Sequence, residues 1–182
     1  MSTRIGDLLE RDTETDENEP IDRSPASFSG RFAVFVSMVA VFSLLFGMVW
    51  GILPGLFGVA MLWWGAYSGS RFRISVGTLF LFLGVLLSAA GEPSPAFPLA
   101  GTAATIVAWD LAQNAISVGE QLGSETNTTT AEAFHAAGTL ATGLLGAVGG
   151  FVVYQVAWGG QPVFGVMLLV VGTMLLLFTM RD

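Results

Sequence analysis

The sequence predicts an all-α membrane protein, a polytopic bundle of six transmembrane helices paired as three hairpins, with both termini cytoplasmic. Three observations carry that expectation. Hydrophobic residues make up 53% of the 182-residue chain and charged residues 12%, against about 25% charged in a soluble domain. Mean hydropathy is +0.68. The apolar residues gather into runs near the roughly 20 that cross a bilayer as a helix. The seven basic residues, all arginine, stand only where one side of such a bundle would place them.

Residues 1–30 form an acidic tail. Eight acids (Asp7, Glu10, Asp12, Glu14, Asp16, Glu17, Glu19, Asp22) face three arginines there, and the segment has too little apolar area to offset the entropy of ordering. No apolar stretch follows its first arginine, so it does not read as a secretory signal. A membrane domain over 31–182 follows, with spans at about 32–50, 53–69, 74–90, 96–116, 131–157 and 162–180. "GILPG" ends the first span. "SRFR" separates the second from the third, and "GEPSPAFP", with three prolines, forces a loop before the fourth. "GSETNTTT" precedes the fifth, which opens on the capping box Thr129-x-x-Glu132. "GGQP" turns the chain into the sixth.

Orientation follows from arginine placement, because cytoplasmic loops carry the basic excess. With the amino terminus inside, Arg4, Arg11, Arg23, Arg31, Arg71, Arg73 and Arg181 all fall inside. The outer turns "GILPG", "GEPSPAFP" and "WGGQP" hold none. The expected location is therefore the plasma membrane, multi-pass, with the lipid bilayer as first partner. Small residues let membrane helices approach closely. Gly138, Thr142, Gly146 and Gly150 form such a ridge on the fifth span, which is expected to sit centrally with a helix against that face. Packing within one chain and a homo-oligomer both fit such a ridge.

The fourth span stands apart. Phe97 to Trp109 is only 13 apolar residues by its numbering, about 20 Å of helix, short of a roughly 30 Å hydrocarbon core. Beyond it, Asp110, Gln113, Asn114, Ser117, Glu120 and Gln121 form a polar stripe opposite Val107, Leu111, Ala115, Val118 and Leu122. Two readings stay open. In one, Trp109 marks the inner interface and the stripe is solvated or meets a cytoplasmic partner. In the other, the stripe faces a cavity, and Asp110 with Asn114 binds an ion or solute.

Catalytic chemistry finds little support. Cysteine is absent and His135 is the single histidine, which excludes thiolate sites and, within one chain, a multi-histidine metal centre. His135 reads as decoration of the inner interface. There is no H-E-x-x-H, G-x-S-x-G or P-loop pattern, so no catalytic residue, metal or cofactor is expected. A net charge of −7 without basic patches argues against nucleic acid.

Trp109 to Gly123, the closing "GGQPVFGVMLLVVG" and the lysine-free, acidic composition together resemble an uncharacterised family of haloarchaeal six-span integral membrane proteins. The resemblance covers roughly Arg31 to Arg181. It implies encoding beside MoxR-type AAA ATPases and von Willebrand-A-like proteins, and so an accessory role in an ATPase-driven assembly system. It implies no catalytic residues. The expected function is a non-enzymatic anchor or scaffold that receives cytoplasmic proteins on the acidic tail and the 110–132 segment. The alternative is a small channel or transporter using the stripe on the fourth helix.

Overall fold

Every apolar run whose residues are described is a helix, but the helices start and stop at residues other than the turn signals suggest. The computed structural model describes residues 24–122 and 128–157. It contains α1 (Ser27–Leu44), a 3-10 turn (Val49–Gly51), α2 (Ile52–Ser68), α3 (Arg71–Ala89), α4 (Ala96–Leu122) and α5 (Thr129–Ala157). No strand occurs among the described residues. The sixth span, at 162–180, and the tail through residue 23 lie outside them.

The shifts at helix ends have local causes. "GILPG" is not a turn. Ile52 to Gly55 are the first residues of α2, because proline in a first helical turn lacks only an N–H that has no partner there anyway. The chain reverses earlier, at Leu45–Met48. There the Met48 N–H donates to the Ser88 carbonyl at 3.0 Å, and the buried Ser88 hydroxyl donates to the Leu44 carbonyl at 3.1 Å. Pro98 likewise sits in the first turn of α4. "SRFR" contributes to a helix as well: Gly69 ends α2 in the left-handed conformation at φ 65°, and the Ser70 hydroxyl caps α3. Arg71 and Arg73 thereby become first-turn residues of α3. At the amino-terminal end, α1 begins at Ser27, inside the stretch expected to be tail.

Four of these helical segments are long and apolar enough to cross a membrane: Ser27–Leu44, Val49–Ser68, Arg71–Ala89 and Thr129–Val156. Their outer surfaces carry large apolar side chains such as Phe35, Phe42, Leu53, Leu79 and Leu145, each more than half exposed. Water does not tolerate that much contiguous apolar surface; lipid does.

Among the described residues the most central helix is α4. It packs against α1, α3 and α5 and buries Ala104, Ala108, Leu111, Ala112 and Ala115 among others. Its small residues admit α1 closely, and the Ala26 N–H donates to the Ala115 carbonyl at 2.8 Å. By contrast only 6% of the α5 window is buried, against 33–39% for the other three spans. α5 is therefore an edge helix among the described residues. Backbones of α2 and α3 approach closely at Gly58, where a β-carbon would stand 2.6 Å from the Leu81 nitrogen. Along the expected ridge on α5, no described residue comes within 4 Å of a β-carbon built on Gly138 or Gly146, while Gly150 touches Leu99. α5 meets α4 instead beside that ridge, where Gly143 lies against Val107.

A candidate polar site at one end of the bundle

Alternating helix directions bring the start of α1, the end of α2, the start of α3, the last turns of α4 and the start of α5 to one end. The contacts establish this. Gly65 of α2 lies against Ile74 of α3, Ala26 bonds to Ala115, and Ser29 of α1 reaches Glu132 of α5. The polar stripe of α4 runs through this end, and the structure divides it among three neighbours.

The first group joins α4 to α5. Asp110 Oδ2 lies 2.9 Å from His135 Nε2 and accepts from the Thr139 hydroxyl at 2.7 Å. His135 and Thr139 stand one turn apart on α5, so both reach one carboxylate. The pair is about 40% exposed. It stands at the wall of a groove of about 720 Å³ between α4 and α5, otherwise mostly apolar, with Ile106, Val107, Phe134 and Gly146 among its lining.

The second group ties α1, α4 and α5 together. Glu132 is 3% exposed. Its Oε2 accepts from the Ser29 N–H at 2.8 Å and from the Ser29 hydroxyl at 2.7 Å. Its Oε1 accepts from the Thr128 hydroxyl at 2.7 Å. Asn114 Nδ2 donates to the Ser29 hydroxyl at 3.4 Å. Ser29 lies in the first turn of α1, where backbone N–H groups have no partner within the helix, and the N-cap residue Ala26 supplies no side-chain bond. Glu132 therefore caps a helix 103 residues away in sequence. Charge-assisted bonds of this kind offset the cost of burying a carboxylate, and an acid at a helix amino terminus also complements the dipole. The local capping box takes a different form from that read in the sequence: Thr128, rather than Thr129, pairs with Glu132.

The third group joins α3 to α4. The Arg71 guanidinium donates to Gln113 Oε1 at 3.0 Å, Ser117 Oγ at 3.2 Å and Glu120 Oε2 at 2.8 Å. The three acceptors follow helical spacing on α4, and the ion pair is about half exposed. Gln121 is exposed and joins none of these groups.

The stripe is thus one surface in sequence and three joints in space. Asp110 and Asn114, expected to share a ligand, face different helices. Asp110 has the partner that sequence reading left out: His135, expected to decorate the interface, sits on it. Only the continuation of α4 to Leu122 reveals that pairing, since it sets how far back from the hairpin the two residues stand. Among the described residues no three histidine, aspartate or glutamate side chains gather as a metal site would need.

Residues 23–177 match a family described as "Family of unknown function (DUF7519)". No curated protein and no solved structure matches the chain.

Proposed function

This chain belongs to the family of unknown function DUF7519, and we propose that it is a non-enzymatic membrane scaffold whose polar end receives cytoplasmic proteins. The observation that carries the reading is the gathering of all three polar joints at one end of an otherwise apolar bundle. Each joint locks helices together, which suits a rigid platform. Exposed Gln121 and the half-exposed Glu120 lie beside the 123–128 connection. The acidic tail leaves the same end, since Ser24 and Pro25 pack against Gly119. Arginine placement makes that end cytoplasmic, in a six-span protein with both termini inside. The haloarchaeal resemblance supplies the class of partner, a MoxR-type ATPase system.

The test is co-purification from native high-salt membranes. Deleting residues 1–22, or changing Glu120 and Gln121 together to lysine, is expected to lose a soluble partner. A partner set unchanged in both variants overturns the reading.

One observation favours a second reading, transport: Asp110 stands at the wall of the groove between α4 and α5. That reading now rests on Asp110 and His135, because Asn114 is turned to Ser29. Asp110→Asn is expected to alter ion or solute flux in vesicles while the fold survives. Unchanged flux removes the second reading.

A further inference from the structure

A second groove lies at the polar end, between the start of α1 and the end of α2. Its volume is about 350 Å³, and Ser27, Arg31, Val34, Trp63, Ala66 and Tyr67 line it. Four of its polar side chains share one property, while Ser24, which also lines it, is engaged. The Arg31 guanidinium, the Trp63 indole N–H, the Tyr67 hydroxyl and the Ser27 hydroxyl have no hydrogen-bond partner among the described residues. The other described cations are engaged. Arg71 is bound to Glu120; Arg73 donates to Ser68 Oγ at 2.7 Å and lies 4.2 Å over the Trp64 ring; His135 is on Asp110. The described carboxylates at this end, Asp110, Glu120 and Glu132, all have partners on other helices. Arg31 therefore stands beside three other side-chain donors, with no carboxylate of the described residues paired to it.

We infer that this groove binds the phosphate of an anionic membrane phospholipid, with an acyl chain running past Val34. Four features of the groove select that occupant. A donor-rich site with one permanent positive charge calls for an anion with several acceptor oxygens, and the guanidinium fork matches phosphate. Trp63 and Tyr67, one turn apart with ring centroids 6.2 Å apart, are the side chains that favour the headgroup level of a bilayer. Basic pockets between membrane helices on the cytoplasmic side are where anionic headgroups bind. On α1 the lining passes from Arg31 to apolar Val34 one turn deeper, a sequence of charge then apolar surface that suits a lipid and not a soluble anion.

The experiment uses the full chain in vesicles of equal phosphatidylglycerol and phosphatidylcholine, with retained lipids counted by native mass spectrometry after mild detergent extraction. Wild type is expected to retain phosphatidylglycerol in excess. Arg31→Gln is expected to reduce that excess about tenfold, as loss of charge-assisted hydrogen bonds implies. Arg73→Gln removes the same charge from a side chain already engaged, and is expected to leave the excess within about twofold. Tyr67→Phe, which deletes one exposed hydroxyl, carries the same test by a partial loss should Arg31→Gln fail to fold. Three results overturn the site: no phosphatidylglycerol preference in wild type, as an acidic tail seated on Arg31 would give; an unchanged excess in Arg31→Gln, or in Tyr67→Phe where that variant stands in for it; or an equal loss in Arg73→Gln.

Discussion

Asp110 and His135, 25 residues apart in sequence, meet at 2.9 Å across α4 and α5. Among the described residues, the contact joins the most centrally packed helix to the least buried one. Removing either partner should therefore loosen α5 before it affects the rest. A double-mutant cycle with Asp110→Asn and His135→Gln, read by detergent-titrated unfolding, is expected to give a coupling of about 0.5–1 kcal/mol, the range for half-exposed pairs. Additive effects would mean that the two side chains do not interact in the membrane.

Glu132 should matter more, because it is buried and its loss strands the Ser29 N–H. Glu132→Ala is expected to cost about 2–3 kcal/mol, and Glu132→Gln roughly half of that, since an amide oxygen still accepts. Unfolding midpoints that rank Glu132→Gln above Glu132→Ala in stability, and both below wild type, are the expected outcome.

Two glycines should respond with opposite signs. Gly58→Ala forces a β-carbon to 2.6 Å from the Leu81 backbone and is expected to cost about 1–3 kcal/mol through overpacking. Gly138→Ala meets nothing within 4 Å among the described residues and is expected to be neutral or to gain up to roughly 1 kcal/mol from helix propensity. Destabilisation by Gly138→Ala would reveal something seated on the ridge, and concentration-dependent unfolding would tell whether that is a second copy.

Arg71 tests how far its joint depends on charge. Its ion pair with Glu120 is about half exposed, so Arg71→Gln is expected to cost only about 0.5 kcal/mol at low salt. Because salt screens exposed charges, that cost should shrink when unfolding is repeated in molar salt. A cost that persists would mean the hydrogen bonds to Gln113 and Ser117 carry the joint.

Particular residues mark how much of this was legible beforehand. The apolar runs around Ala33–Leu44, Val59–Ala66 and Ile74–Val85 announced helices, because hydropathy is a property of short segments. Their ends were less legible. Pro54 punctuates a turn and opens a helix equally well, and nothing local to "GILPG" distinguishes the two. The polar stripe on α4 was visible at every position from Asp110 to Gln121. Its division was not, since neighbours on one helix face belong together in sequence whether or not they share a partner in space.

The sequence by itself determined that the chain is helical, apolar on its outer surfaces and marked by polar residues along the last turns of α4. Those follow from residue type and helical period alone. Tertiary structure decided which helix is central, that Glu132 caps α1, and that His135 and not Asn114 accompanies Asp110. Such outcomes depend on the rotation and axial register of one helix against another. Close approach of small residues sets both, at places such as Gly58 on Leu81 and Ala115 on Gly30, contacts between helices that no single segment of the sequence specifies.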